Sequence, residues 1–506
     1  HLRTFKYHLW NNIDAEDMKD DNGKFYQMTW DLSFMFPMLE MSGNKHRYID
    51  EVLYIYNRTN PLNDDKVDHS MQLGFEREIR GKSKYDKISH GTDPLDLLNS
   101  KRFDIAAKTI YAKNRMKNTD SGFPAELYLE HLKVWNNLCE KFPEKVGEES
   151  FINTFDDLLS DINANGFDSD KGKIPTIQGS AINGAHRIAS SIVTGNEVET
   201  YEGEISEGQY NCNFQYFKNK KNFVPTGLDE LYLDEMALEF CRNKKNLYTI
   251  TIFPSHDANI TNILSHINSK NEIIYCKRVT LNDAGKTNFV HNLYHNEAWI
   301  GSKIAGYPGV NEKAGLCFSK GNDIYVTLVE EDNIDNMVRL KDEIRSMCNV
   351  GKHSVHINDT QEETWRIASS IYNENSVHYL NNKKIADTPN FDLYIEKYYA
   401  IIRDRDDKHD FCVDSSAVLS AFGLRDCRDL DFLHLKDIPP ISYNVDCHNK
   451  EATHYKEKKD DIIYNPKFHF YFFGIKFASI GIVRDMKTER NEEKDKVDVR
   501  LMELVL

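Results

Sequence analysis

The spacing of apolar residues changes character several times along the chain. Between Phe25 and Gly43, Leu32, Met35, Phe36 and Leu39 recur at helical spacing. They predict a helix entered at Thr29 that buries those four residues. Val52–Asn57 reads as a strand, and Leu95, Leu97, Leu98, Phe103, Ile105, Ala106, Ile110 and Tyr111 predict further helix. From 151 to 226 a helix, a glycine-containing loop, the strand-like stretch Ile174–Ile182 and another helix alternate. A helix over Leu228–Cys241 and a strand at Tyr248–Pro254 open a further alternation that runs to 385. The remainder mixes strands with a last, highly charged helix. These textures divide the chain into 1–88, 89–150, 151–226, 227–385 and 386–506, and the expected fold class is mixed α/β and multidomain. At about 150 residues per domain, the length alone predicts three or four domains.

Charge narrows the function classes. Lys and Arg total 64 against 80 Asp and Glu, a formal charge of −16. That excess argues against a nucleic-acid partner, because phosphate-backbone binding needs a positive face that releases counterions. The most apolar stretch, Phe468–Ile482, is interrupted by Gly474 and Lys476, so no integral membrane segment is expected. Nine cysteines without a C-x-x-C pair indicate neither a zinc ribbon nor a disulfide framework, and predict a cytoplasmic, reducing location. The first residue is His1, with no signal-type segment after it. The expectation is a processed chain or one that begins within a domain.

The first candidate chemistry lies near the start. His1-Leu2-Arg3-Thr4-Phe5, then Trp30-Asp31-Leu32, then Glu40-Met41-Ser42-Gly43 and the strand Val52–Asn57 form an ordered series. The series resembles the C-terminal half of a family 2, GT-A-type glycosyltransferase. The resemblance implies that His1 helps hold a divalent metal on a nucleotide diphosphate, that Arg3 contacts the nucleotide, and that Asp31 is the general base on the acceptor hydroxyl. It covers about 85 residues and places the nucleotide-binding half and its D-x-D motif before residue 1. An inverting transfer needs such a base and a cation to stabilise the departing diphosphate.

Further along, Ile177-Gln-Gly-Ser-Ala-Ile-Asn-Gly-Ala-His-Arg-Ile188 reads as strand, tight turn and helix. Gly184 permits the turn, and Asn183, His186 and Arg187 fall at a helix N-terminus, which collects N–H groups and favours anions. The pattern resembles the turn of ParB/sulfiredoxin-like modules that contacts nucleotide phosphates. Arg102, Asp104 and Lys108 read as local ion pairs of structural kind. Ser255-His256-Asp257 follows a strand, where parallel α/β sheets place ligands. His353, His356 and Asp359 have a metal-like spacing, but alternation would put the two histidines on opposite faces. Thr360 with Glu363 reads as a capping box.

The C-terminal part carries Val413-Asp414-Ser415-Ser416 before a helix, then Arg428-Asp429-Leu430-Asp431 on a strand. Alternation places Asp429 and Asp431 on one face, where two carboxylates can hold a divalent cation bound to a nucleotide. Gly474–Ser479 then precedes a helix with Lys487, Arg490, Lys494-Asp495 and Asp498. This order resembles a polymerase-β-type nucleotidyltransferase domain. There Ser415 and Ser416 would stand at the phosphate-binding turn, Asp429 and Asp431 at the metal, and Asp446 at a third carboxylate position. Where that fold has Gly-Ser or Gly-Gly, this chain has Asp414-Ser415-Ser416. A competing reading has Arg425 and Arg428 merely neutralising the two strand carboxylates.

Together the resemblances imply a glycosyltransferase-type protein of surface polysaccharide biosynthesis. It would use a nucleotide-sugar donor, a glycan acceptor and Mn²⁺ or Mg²⁺, with an NTP as a further partner. The alternatives are a nucleotidyltransferase or phosphotransferase acting on a sugar or glycan precursor, and a non-catalytic scaffold of glycan assembly.

Overall fold

The computed structural model describes the chain except at residues 1–4, 6, 44–45, 47–56, 58, 61–62, 87–90, 142–143, 205–210 and 220–226. The architecture is mixed α/β and multidomain, with two compact units, His1–Thr92 and Asp93–Leu506. No helix among the described residues is long and apolar enough to cross a membrane.

In the first unit the helix Trp30–Ser42 packs against the helix His69–Gly81, whose N-cap Asp68 accepts the Met71 N–H at 2.9 Å. The buried residues of Trp30–Ser42 are Ser33, Pro37, Met38 and Met41, and Leu39 is exposed. The predicted face of Leu32, Met35, Phe36 and Leu39 is therefore corrected. The segment is apolar almost all round, so spacing alone does not select a face and packing decides. The strand read at Val52–Asn57 lies outside the described residues except for Asn57.

The second unit is organised around the helix Asp104–Lys117, buried at every position from Asp104 to Ala112. Burial on all sides marks a core element rather than a surface connector. It packs on the helices Phe123–Asn136, Ala185–Thr194 and Glu230–Asn243. All-round burial also brings charge inside. Asp104 accepts from Arg102 Nε at 2.9 Å and from Lys108 Nζ at 2.8 Å, and Lys108 Nζ lies 3.0 Å from His131 Nε2. All four side chains are buried, so these are not the weak surface pairs that the sequence reading implies.

Among the described residues, four sheets lie in this unit. The first is a hairpin of β1 (Cys139–Lys141) and β2 (Glu144–Val146). The second has the order β4-β3-β5, with β3 Ile174–Ile177, β4 Ser180–Ala181 and β5 Thr200–Glu202. The third has the order β7-β8-β6-β9, from β6 Leu247–Ile252, β7 Ile273–Thr280, β8 Asp323–Glu330 and β9 Val355–Ile357. Every pairing in that third sheet is antiparallel. The ligand-placing rule for parallel strand ends therefore does not apply to Ser255-His256-Asp257. Asp257 is ion-paired with Lys320, and Ser255 Oγ donates to the His353 carbonyl at 2.9 Å.

The fourth sheet carries the candidate site. Its order is β12-β11-β10-β14-β13, from β10 Phe411–Asp414, β11 Leu430–His434, β12 Val445–Cys447, β13 His469–Phe472 and β14 Ile475–Ala478. β10 runs antiparallel to β11 and parallel to β14, and β11 runs parallel to β12. The turn between β13 and β14 is Phe473-Gly474, both at positive φ (48° and 77°), the geometry that suits a two-residue hairpin. A Cβ at Gly474 would also meet Trp365 Cδ1 at 2.9 Å. The edge strand β13 is covered by the helix Glu374–Asn382. Asn375 Nδ2 donates to the Pro466, Lys467 and His469 carbonyls at 3.0–3.2 Å, Ser376 Oγ accepts the Tyr471 N–H at 2.8 Å, and Tyr379 stacks on Phe470 at 4.7 Å.

Candidate metal centre

Register builds the centre. Asp414 on β10 stands opposite Asp431 on β11, and Asp431 stands opposite Asp446 on β12. Residues in register share a face, so three carboxylates form a row across three strands, and Asp429 joins them two residues before Asp431. His448, just past β12 and two residues after Asp446, closes the group. One ligand atom each from Asp414, Asp431 and His448 lies within 4.8 Å of the others. His448 Nδ1 is 3.6 Å from Asp414 Oδ1 and 4.0 Å from Asp431 Oδ2.

The electrostatics are those of a site short of positive charge. Asp414 is fully buried, and its Oδ2 accepts from the Tyr455 hydroxyl at 3.2 Å. Asp414 Oδ1 and His448 Nδ1 are buried atoms that face each other beyond hydrogen-bond distance but within that of an ion pair. Burial, reinforced by the Asp414 charge, pushes the Asp431 carboxyl up to about 7. Burial opposes the imidazolium of His448, but Asp414 and Asp431 outweigh it and raise His448 to about 9. A cation there would be held by two hard carboxylate oxygens and one imidazole nitrogen, a donor set that fits Mn²⁺ and, less closely, Mg²⁺. His448 must lose its proton to act as a ligand, so affinity rises with pH.

The residues singled out from sequence fall as follows. Asp429 and Asp431 are both at the row, and Ser416 Oγ donates to Asp429 Oδ1 at 3.4 Å. Arg425 makes a bidentate pair with Asp498, both contacts at 2.6 Å. Among the described residues neither Asp429 nor Asp431 is ion-paired with an arginine or lysine; Arg425 is committed to Asp498, though Asp429 also acts on its charge. The charged C-terminal helix residues pair with each other. Lys487 Nζ lies 3.2 Å from Asp495 and 2.9 Å from Asp498, and Arg490 chelates Asp495 at 2.7–2.8 Å. They brace the domain instead of supplying ligands.

Two members of the group lie outside the sequence candidates. Asp414 falls, in the sequence, within the turn where the resembling fold has glycine. His448 could have been found from the alternation Asp446-Cys447-His448, which puts both polar residues on one side.

Ser415 adopts φ 57° and ψ −131°, a conformation natural to glycine. Relief of about 1–3 kcal/mol of strain outweighs the roughly 0.5–1 kcal/mol entropic penalty of glycine. Ser415→Gly is therefore expected to stabilise the protein by about 1 kcal/mol. A denaturant midpoint that falls instead would show that the Ser415 side chain holds the turn.

The other sequence candidates lie apart. Asp31 is in the first turn of Trp30–Ser42, in the first unit, after Thr29 in the left-handed region. His1 and Arg3 lie outside the described residues. Gly184 has φ 84°, and a Cβ there would meet Ile174 Cδ1 at 2.5 Å, so the turn before Ala185–Thr194 requires glycine. Asn183 is exposed at this turn, with its Oδ1 2.6 Å from the Gly184 N–H. His186, however, turns inward. Its Nε2 lies 3.0 Å from the Tyr128 hydroxyl, its ring meets Phe155 edge-on, and burial keeps it well below the usual imidazole range. It is a neutral packing residue rather than a switchable donor. Arg187 donates to the Gly172 carbonyl and lies over Phe167.

His356 Nε2 lies 3.1 Å from Glu363, whereas His353 lies beside Lys313, so the two histidines serve different partners. Thr360 caps its helix by accepting the Glu363 N–H, but the Glu363 carboxylate reaches back to the Asp359 N–H rather than closing a capping box. No protein-family model, curated protein or solved structure matches the chain.

Proposed function

We propose that the C-terminal sheet carries a divalent-metal-dependent nucleotidyl- or phosphoryl-transfer centre. The observation that supports it most directly is the meeting of one ligand atom each from Asp414, Asp431 and His448 within 4.8 Å of the others, with Asp414 fully buried. The resemblance of the strand–turn–helix and Asp429–Asp431 pattern to polymerase-β-type domains supports the same chemistry, with an NTP as the second substrate. The sugar or glycan-precursor acceptor rests on the sequence resemblances alone.

In this reading Asp414, Asp431 and His448 hold Mn²⁺ or Mg²⁺. The bound cation would supply charge neutralisation on the phosphate oxygens. Asp429 and Asp446, exposed on the same face, stand where a second ligand or an acceptor hydroxyl can reach them. A carboxylate there can accept the proton of the attacking hydroxyl. Glycosyl transfer is a separate proposal for the first unit, supported by Asp31 in its helix-start position.

The test is a thermal scan with Mn²⁺, with Mg²⁺ and with each cation plus ATP, CTP or UTP, followed by NTP turnover in the presence of sugar acceptors. A ligand that binds only the folded state raises the melting temperature by mass action. A protein that neither cation shifts, at any pH from 6 to 9, is not a metal-dependent transferase at this centre.

A further inference from the structure

A cavity lies at the end of β10 away from Asp414. It encloses about 400 Å³, within the range of small-molecule sites. Phe411, the first residue of β10, lines it, whereas Asp414 at the metal centre ends that strand. Three residues of strand separate them by roughly 10 Å at about 3.3 Å per residue. The cavity sits in the seam between the part of the unit that contains β6–β9 and the C-terminal sheet. Its walls are the end of the helix Glu230–Asn243, the first turn of Gln361–Ile371, the end of Pro389–Ile402 and the β13–β14 turn.

Two features give it chemical character. The first is an aromatic wall. Trp365 donates its indole N–H to the Gly474 carbonyl at 2.8 Å, meets Tyr471 edge-on at 5.4 Å, and faces the cavity together with Tyr399. The second is positive charge in an acidic protein. Arg242 is balanced by Glu235 and Glu239, and Lys244 by Glu330. Lys245, Arg403 and Lys408 are exposed at the rim, where Arg403 pairs with Asp404 at 3.3 Å, Lys408 Nζ donates to the Arg403 carbonyl at 3.3 Å, and Glu362 is the other acidic lining residue.

Lys476 lines the cavity from inside the protein. It is buried and donates to two neutral carbonyls, of His409 at 2.6 Å and Ile463 at 2.7 Å. Among the described residues no carboxylate lies within ion-pair distance of it. A buried ammonium with no carboxylate in direct contact, only Asp410 and Glu235 acting on it from further off, is costly, and an anion in the cavity would offset that cost. Consistent with this, burial pushes Lys476 down to about 8.

We propose that this seam cavity binds a phosphate ester of a ring-bearing metabolite, a nucleotide or a sugar phosphate, with the ring against Trp365 and the phosphate toward Arg403, Lys408 and Lys476. The site is independent of the metal centre. A ligand there would tie the C-terminal sheet to the rest of the unit.

The experiment is calorimetry on the full chain in EDTA, with ADP, glucose 1-phosphate, inorganic phosphate and adenosine as separate titrants, alongside indole fluorescence. ADP or glucose 1-phosphate is expected to bind at least tenfold more tightly than inorganic phosphate or adenosine and to alter the Trp365 emission. The double variant Arg403→Ala/Lys408→Ala, in which both altered side chains are exposed, should weaken that binding by about ten- to a hundredfold, the usual worth of charge-assisted contacts. Asp431→Asn should leave it unchanged. Loss of binding in Asp431→Asn would place the ligand at the metal centre and overturn the proposal. So would undiminished binding in the double variant, equal binding of adenosine or inorganic phosphate, or no binding of either ester at millimolar concentration.

Discussion

Asp104→Ala is expected to destabilise the second unit by about 3–5 kcal/mol, the usual cost of removing one partner from a buried ion cluster. The carboxylate pairs with both Arg102 and Lys108, all three being buried. Its loss leaves Lys108, within the core helix, with the His131 ring and a 3.5 Å contact to the Asp104 carbonyl, and takes from Arg102, just before that helix, its carboxylate partner. Alanine is the best helix former, so propensity cannot explain a loss of this size. Replacing the pair together, Asp104→Leu with Lys108→Met, should cost less, because the Lys108 charge goes with its partner and only Arg102 loses its carboxylate. Urea unfolding of the three proteins decides the matter. A loss under about 1 kcal/mol in Asp104→Ala would mean that water or rearrangement compensates the cluster.

The same cluster sets an acid limit. Burial pushes Asp104 up, but Arg102 and Lys108 outweigh it and hold the carboxyl below the usual carboxylate range. A depressed folded value gives stability that is complete above the unfolded value near 4 and is lost as pH falls further. Wild type should therefore weaken below about pH 4 more steeply than the double replacement.

Asp431→Asn is expected to abolish any Mn²⁺-induced rise in melting temperature and to lower metal-dependent turnover by at least about 10²-fold, while stabilising the metal-free protein. The sign follows from the raised folded value of about 7. For an acid raised above its unfolded value near 4, folding is favoured at low pH, and stability declines as pH rises from about 4 to 7. His448 acts in the next window. Raised to about 9, it contributes stability that is whole below about 6.5 and lost as pH rises towards 9. In EDTA, wild type should thus lose stability progressively from pH 4 to 9, whereas Asp431→Asn lacks the first part of that decline. If Asp431→Asn instead melts earlier than wild type at pH 8 in EDTA, the carboxylate is a structural partner and the metal reading fails.

How much of this was legible in the sequence depended on whether the pattern was local. The alternation Asp429-Leu430-Asp431 puts two carboxylates side by side in the sequence reading without any tertiary information, although Asp429 falls just before β11 rather than on it. Gly184 and Gly474 stood at turns with positive φ, as local chemistry requires. Asp414 and His448 were harder, because their meeting depends on strand order and on the register of β10, β11 and β12, which no short window contains. The buried face of Trp30–Ser42 was invisible for a different reason, since an almost uniformly apolar helix has no preferred side until a partner arrives. His186 looked like a surface donor, yet Tyr128 and Phe155, some thirty to sixty residues earlier in the chain, draw it inward. The seam cavity could not be read at all, since its walls come from five separate stretches between Cys241 and Lys476.

The helix over the edge of β13 also dictates where the chain can be cut or recombined. Glu374–Asn382 precedes residue 386, where the sequence texture changes, yet Tyr379 donates to the Ala421 carbonyl at 3.0 Å and belongs to the core of the C-terminal sheet. A crossover placed at the textural boundary would strip that helix away. It would leave β13 with unpaired backbone groups and an uncovered row of aromatic rings, the kind of open edge on which copies of a chain stack into aggregates. Gene fusions and exchanges that keep the C-terminal sheet intact should therefore inherit the segment from about Asn373 onward as one heritable piece.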